Sequence, residues 1–160
     1  MAMNRQRLPE HLWFRESRVT ICADAQSTDG ALAAIDFLAP EGASPPLHRH
    51  PSAETFLVTE GEVAFLVDGA VERVTAGESA FAPGGSAHTF RILSPEARMI
   101  VVSTPGGHEQ LFRLAGTPAL DDGLPTVDDG PADIAELVQV ADAAGVEILG
   151  PPPAELAELR

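Results

Sequence analysis

The chain has 160 residues, 44% of them hydrophobic, which suits one compact domain with a core of ordinary size. Its 24 acidic residues outnumber the 10 Lys and Arg residues, so the formal net charge is -14. That charge repels phosphate backbones and anionic membrane surfaces, so we expect no nucleic-acid or membrane partner. The start lacks an apolar signal region and no run approaches 18 apolar residues, so a cytoplasmic protein is predicted.

Residues 1–30 predict an extended N-terminal segment. Residues 12–14 and 18–23 favour extended structure, and the turn-rich stretch 24–30 closes the segment. Cys22 lies in the second of these runs. A single cysteine cannot form an internal disulfide, and this strand-like setting predicts that Cys22 is buried.

Residues 31–104 predict the β-rich core of the domain. Residues 31–38 suit a strand with Asp36 facing solvent and Ala33, Ile35 and Phe37 facing inward. The pair Asp68-Gly69 predicts a hairpin turn, because both residues tolerate positive φ. Short apolar runs bounded by Gly, Pro, Asp or Ser predict further strands at 55–59, 62–67, 70–74, 78–82, 86–92 and 97–103. Strands at such regular spacing indicate an all-β sandwich or barrel.

Residues 105–150 predict a helical extension packed on the outside of the β-rich core. A short helix spans 107–116, a linker covers 117–130, and a second helix opens at Pro131 and ends at Gly145. The second helix carries apolar residues at helical spacing, namely Ile134, Leu137, Val138 and Ala141. Residues 151–160 form a Pro-rich tail, for which we expect a frayed last turn or disorder and assign no function.

Two stretches carry metal-ligand residue types at a spacing that chance rarely supplies. On a strand, side chains two residues apart share a face, so His48 and His50 can converge on one ion. A bend at 51–53 returns Glu54 to the same point, and the tight turn at 83–86 presents His88. The complete patterns are Gly42, His48, His50, Glu54 and Gly61, followed by Gly77, Pro83, Gly85 and His88.

These residues predict a site for one divalent transition metal. Imidazole and carboxylate without thiolate suit Fe, Mn, Ni, Co, Cu or Zn, so the ligand types leave the identity of the ion open. Four protein donors on a six-coordinate ion leave two positions for substrate, water or dioxygen. His11 lies in the polar start and His108 begins the helix after the strands, so we expect surface or capping roles for both and leave them out of the site.

The two motifs resemble those of the cupin superfamily. The resemblance implies a small double-stranded β-barrel of the jelly-roll type, with the metal inside it bound by His48, His50, Glu54 and His88. One departure is Ile92, which stands where the second motif of the family often carries asparagine, so a polar contact behind the ligands is not expected there.

Residues near both ends of the predicted core resemble the quercetinase-like branch of flavonol dioxygenases. They are Leu12-Trp13-Phe14 and the stretch Thr104-Pro105-Gly106-Gly107 leading into Phe112. Within that branch the expected activity is a metal-dependent dioxygenase.

The expected substrate is a small hydroxylated aromatic or enolisable molecule. Phe56 and Val58 share the strand face of Glu54, and Phe90 and Ile92 share that of His88, which predicts a mostly apolar substrate pocket. Glu54 could be both ligand and catalytic base, because a carboxylate bound through one oxygen can accept a proton on the other.

Two other functions are compatible with the same residues. The first is a redox-free Lewis-acid enzyme, such as an isomerase, decarboxylase or cyclase, and the second is a non-catalytic small-molecule-binding protein. A homodimer is also expected, because small barrels expose apolar sheet faces that pair readily.

Overall fold

The computed structural model describes residues 7–126 and 134–160 of the chain. Residues 1–6, the end of the predicted linker and the predicted helix start at Pro131 lie outside the described residues. The described part contains the strands β1 (Glu10–Phe14), β2 (Ser17–Ala23), β3 (Ala33–Pro40), β4 (Leu47–Arg49), β5 (Ala53–Glu60), β6 (Glu62–Val67), β7 (Ala70–Thr75), β8 (Ser79–Ala82), β9 (His88–Ile92), β10 (Glu96–Thr104), β11 (Thr117–Pro118) and β12 (Glu147–Gly150). The helices are α1 (Glu109–Ala115), α2 (Ile134–Ala143) and α3 (Ala154–Ala157).

The strands form two antiparallel sheets that enclose one main core. The larger sheet has the order β11-β1-β2-β3-β10-β5-β8, and the smaller has the order β12-β4-β9-β6-β7. Apolar side chains from both sheets meet in one cluster, including Phe37, Phe56, Phe65, Phe90 and Met99. Neither sheet closes on itself into a barrel. This mostly β, jelly-roll architecture confirms the predicted fold class.

Strand β3 and the β6–β7 hairpin form as the sequence predicts, for two local reasons: buried and exposed side chains alternate along the strand, and the turn residues tolerate positive φ. In β3, Ala33, Ile35 and Phe37 are buried while Asp36 points outward, as the alternation predicts. The β6–β7 hairpin turns at Asp68 and Gly69, whose φ angles are 46° and 84°. Both residues of the turn therefore adopt the left-handed conformation that the pair was expected to supply.

The N-terminal segment is part of the larger sheet. Strands β1 and β2 form a hairpin, and β2 pairs with β3, so the sheet continues across the predicted boundary between residues 30 and 31. The predicted burial of Cys22 is wrong, because its side chain is exposed. Ile21 occupies the inward face of β2, and strand alternation then turns its neighbour Cys22 outward.

The C-terminal residues cover the open end and one edge of the sandwich. Strand β12 pairs with β4 and so adds an edge strand beside His48, while α2 contacts both α1 and β12. Leu156 of α3 is fully buried against Ala64 and Leu66, so the tail that was expected to be frayed or disordered packs on the smaller sheet. The described helices have seven, ten and four residues, and none has the length and apolarity that a membrane span requires.

Candidate metal centre

Both sheets contribute side chains to the predicted metal site. His48 of β4 and His88 of β9 are register partners in the smaller sheet, and His50 follows directly after β4. Glu54 comes from β5 of the larger sheet, where it pairs with Ala82. The structure therefore brings all four predicted ligand residues to the space between the sheets, where His50, Glu54 and His88 are buried.

The turn before β9 is docked on the chain segment that carries His50. The backbone N–H of Gly85 donates to the carbonyl of His50 at 2.8 Å, and Gly85 has a φ of 79° that favours glycine. At Gly84, any Cβ would collide with the carbonyl oxygen of Pro51. Two glycines in this turn thus allow the close backbone approach that places His88 opposite the first motif.

Backbone carbonyls fix the ring orientation of the three predicted histidine ligands. The Nδ1 atom of His48 lies 2.7 Å from the carbonyl oxygen of Pro46, that of His50 lies 2.9 Å from Ser52, and that of His88 lies 2.9 Å from Ser86. A carbonyl can only accept a hydrogen bond, so each Nδ1 must be the protonated nitrogen. The Nε2 lone pair of each ring is thereby left available to a metal ion.

Several of these buried polar atoms lack a hydrogen-bond partner in the described residues. They are Nε2 of His50, Nε2 of His88 and Oε1 of Glu54. Nε2 of His50 lies only 2.8 Å from Oε1 of Glu54, and Nε2 of His88 lies 3.8 Å from Oε2. Two lone-pair donors this close in a buried site require a cation between them, either a proton or a metal ion. The donor set therefore fits a bound divalent ion.

The environment keeps His48 neutral and Glu54 charged at neutral pH. Burial, helped by the neighbouring His88, lowers the pKa of His48 to about 4. Burial alone would raise the pKa of Glu54, but the adjacent His108 and His50 outweigh it and lower that pKa to about 2. A neutral imidazole and an ionised carboxylate are the protonation states that metal coordination needs.

The other imidazoles respond to Glu54 in different ways. Burial opposes a charge on His50, but the contact with Glu54 outweighs burial and raises the pKa of His50. For His88 and His108 burial is the stronger effect, and their pKa values are lowered. Among these three rings, the contact with Glu54 outweighs burial only at His50.

His108 lies in this site, so the prediction that it has a surface or capping role is wrong. Its side chain is only 8% exposed, and its Nε2 lies 3.2 Å from Oε1 of Glu54. Two overlapping groups of donor atoms could each hold an ion, the first from His48, His50 and His88 and the second from His50, Glu54 and His108. No sequence spacing marks His108, because the fold of the C-terminal extension brings it to the site.

A cavity of about 100 Å³ adjoins the candidate ligands. Phe56 and Phe90, two of the predicted substrate contacts, line it. Val58 and Ile92 do not line it, although they share a strand face with the ligands, because both pack deeper in the hydrophobic core. The C-terminal extension lines the cavity with side chains for which the sequence predicted no role in the site, including Leu111, Phe112, Leu137, Ala141, Val146 and Ile148.

Comparison with known proteins agrees with this architecture. Residues 36–105 match the family model described as the Cupin domain. Quercetin 2,3-dioxygenase from Bacillus subtilis is 30% identical over 99 residues, which cover 61% of this chain and 29% of that protein. The chain therefore spans less than a third of the length of this curated relative.

Two solved structures show the same fold at lower identity. An RmlC-like cupin from Shewanella frigidimarina has a TM-score of 0.54 and 21% identity, covering 66% of this chain and 90% of that chain. A mutant of oxalate decarboxylase from Bacillus subtilis has a TM-score of 0.55 and 20% identity, covering 61% of this chain and 28% of that chain. Residues 36–105 thus match a cupin domain, and the chain is similar to a quercetin dioxygenase over 99 residues.

Proposed function

We propose that this chain is a metal-dependent cupin enzyme, a dioxygenase acting on a small hydroxylated aromatic or enolisable compound. The observation that most supports the proposal is the convergence of the buried Nε2 atoms of His50 and His88 with Glu54 beside an apolar cavity. In the part of the chain that the structure describes, neither Nε2 atom has a hydrogen-bond partner. In this proposal the ligands are His48, His50, Glu54 and His88.

The protein's own residues would bind the substrate, exclude water and accept a proton. When bound, a divalent ion would lower the pKa of a hydroxyl or enol group and so favour the anion that reacts with dioxygen. Glu54 lines the cavity and has a second carboxylate oxygen that would accept the proton of that group. Phe56 and Phe90 would keep water away from the reacting anion.

The size of the cavity favours a small substrate. Its volume of about 100 Å³ is below the roughly 300 Å³ at which pockets for drug-sized ligands begin. A compound with one ring, or a short hydroxy-ketone, suits this space better than a three-ring flavonol. The apolar lining also favours such compounds over a sugar.

The relationship to a quercetin dioxygenase supports oxygen chemistry over the other two functions considered. It is a relationship at 30% identity that covers 29% of the relative, so the activity of this chain needs its own test. The ligand types alone are equally compatible with Lewis-acid chemistry.

The decisive experiment measures how turnover depends on the bound metal and on the presence of oxygen. Protein stripped by a chelator is reloaded separately with Fe, Mn, Co, Ni, Cu or Zn, and oxygen uptake is followed with a catechol, a small hydroxy-ketone and a flavonol. We expect uptake with one of the small compounds and a redox-active metal, and none with Zn or with the reloaded His50→Ala protein.

Other outcomes would contradict the dioxygenase. Equal turnover without oxygen, or with Zn, would indicate a Lewis-acid isomerase, decarboxylase or cyclase. Stoichiometric binding of a small compound without turnover, in air and under nitrogen, would indicate a non-catalytic binding protein.

The homodimer and the cytoplasmic location stay predictions. Phe81 on β8 and Leu57 on β5 lie on neighbouring strands and are 58% and 43% exposed, which supports pairing through the larger sheet. Light scattering on the purified protein, together with the Phe81→Ser variant, would test the pairing.

A further inference from the structure

We propose that His108 is a positioning residue of the metal centre, whose Nε2–H donates a hydrogen bond to Oε1 of Glu54 and sets the orientation of that carboxylate. The inference rests on the proposed metal site but concerns a residue outside both sequence motifs. It predicts that the centre uses three coordinating imidazoles and a fourth, non-coordinating one.

The contact between His108 and Glu54 is buried on both sides. Nε2 of His108 lies 3.2 Å from Oε1, and the two side chains are 8% and 4% exposed. The distance is long for a charge-assisted hydrogen bond and the alignment is imperfect. Catalytic contacts with this geometry commonly tighten when ligands bind. Because an ionised carboxylate can only accept, the proton of this contact must lie on Nε2 of His108.

The surroundings of its Nδ1 atom separate His108 from the three candidate ligands. In His48, His50 and His88 a backbone carbonyl holds the proton on Nδ1 and leaves Nε2 free to coordinate. Nδ1 of His108 is buried and has no hydrogen-bond partner among residues 7–126 and 134–160. The neighbouring carboxylate of Glu54 therefore selects the opposite tautomer, in which Nε2 is a donor and is not available as a ligand.

The position of His108 relative to the other rings places it outside the three-imidazole group. Its donor atom lies within 4.8 Å of the donor atoms of His50 and Glu54. The three-imidazole group consists of His48, His50 and His88. His108 therefore adjoins the three-imidazole group at His50, with the two ring centroids 4.6 Å apart, but is not a member of that group.

Helix α1 holds His108 in place through buried ionic contacts. Glu109 is fully buried, and its two carboxylate oxygens accept the backbone N–H groups of Ala25 at 2.8 Å and Gly107 at 2.7 Å. Arg113, one turn further on, donates to Glu10 at 2.9 Å and to Asp24 at 2.8 Å. Three of these contacts fix α1 against the N-terminal segment, and the one to Gly107 fixes the turn before the helix. The ring of His108, which precedes the helix, therefore has a defined position beside Glu54.

The tautomer of His108 can be measured without any metal. Long-range ¹H–¹⁵N spectra of the metal-free protein distinguish Nε2–H from Nδ1–H rings, and the His108→Gln variant assigns the signal. We expect His108 as Nε2–H in the native protein and His88 as Nδ1–H. A native His108 in the Nδ1–H form would overturn the inference.

Metal affinity and ligand counting test the positioning role itself. In competition with a chromogenic chelator for Co²⁺, His108→Phe should bind about 10- to 100-fold more weakly than the native protein. His108→Gln, whose amide N–H can replace Nε2–H, should stay within a few-fold, as should the distant control His11→Gln. Native affinity in His108→Phe would refute the role.

Pulsed EPR of the Cu²⁺-loaded protein counts the coordinated imidazoles. Three in both the native protein and His108→Gln support the inference, whereas four in the native protein would make His108 a ligand and overturn it. A native protein that takes up neither Co²⁺ nor Cu²⁺ would refute the proposed metal site. A metal-binding native protein with an Nδ1–H His108 would refute only this inference.

Discussion

His48 and His88 lie directly opposite each other on the antiparallel strands β4 and β9, with their ring centroids 4.5 Å apart. Cross-strand partners of this kind have their side chains on one face and within contact distance. Strand pairing alone therefore brings together two imidazoles that are 40 positions apart in the chain, before any ion is considered. The ring of His50 lies 4.9 Å from that of His88 and completes the group.

Replacing His50 with alanine should sharply reduce metal occupancy. His50 belongs to both groups of donor atoms that could hold an ion, so its loss leaves neither group complete. We expect metal content by elemental analysis to fall at least about tenfold, since even residues behind the ligands can have that effect. His11→Ala, which removes an exposed histidine that does not line the site cavity, should keep native occupancy. Full occupancy in His50→Ala would refute its role as a ligand.

The sequence predicts His48, His50, Glu54 and His88 well because strand periodicity and turn glycines act locally. Alternation places side chains on faces, and the turn at Gly84 and Gly85 sets the approach of the second motif. The same rule, applied strictly, would also have turned Cys22 outward, because Ile21 beside it is a core residue.

His108 could not be found in this way, because its place depends on long-range contacts. Glu109 reaches back 84 residues to Ala25, and Arg113 reaches back 103 residues to Glu10. Periodicity within a short window carries no information about such pairs. The cavity wall from α2 and β12 was missed for the same reason, since Ala141 and Ile148 look like ordinary packing residues in the sequence.

Replacing Glu54 with glutamine should lower turnover more than metal content. The amide keeps an oxygen that can coordinate but cannot accept a proton, and loss of a general base typically lowers rates by about 10²- to 10⁴-fold. The measurement pairs elemental analysis with the rate of oxygen uptake on the same preparation. Glu72→Gln, at an exposed position on β7, serves as the control. Turnover per bound metal equal to that of the native protein would dismiss the role of Glu54 as a base.

The metal-free protein should lose stability as the pH falls from 6.5 towards 4. The pKa of His48 is about 4 in the folded protein against 6.5 for the free side chain. In this window the unfolded chain therefore binds a proton that the folded protein does not, so the free energy of unfolding decreases as pH falls and is fully retained above 6.5. The part due to His48 is about 3 kcal/mol at most.

The comparison with His48→Gln isolates this contribution from that of the other titrating groups. Urea unfolding of both metal-free proteins at several pH values between 7 and 4 gives the difference in their free energies of unfolding. That difference should shift in favour of the variant as the pH falls. A difference that stays constant over the whole range would contradict the depressed pKa of His48.

Replacing Leu156 with alanine should destabilise the protein, although the residue lies four positions from the C-terminal end of the sequence. Leu156 is fully buried in a small cluster with Ala64 and Leu66, against the outer face of the smaller sheet. Truncation of a buried leucine typically costs about 2–5 kcal/mol, because transfer energy is lost and a cavity remains. The free energy of unfolding from urea titration should fall by that amount, whereas Leu120→Ala, at a position that is 83% exposed, should change it little.

Metal content should stay native in both variants, because Ala64 and Leu66 are not among the residues that line the site cavity. If Leu156→Ala were no more destabilising than Leu120→Ala, the packing of α3 on the sheet would be contradicted while the metal centre would be unaffected.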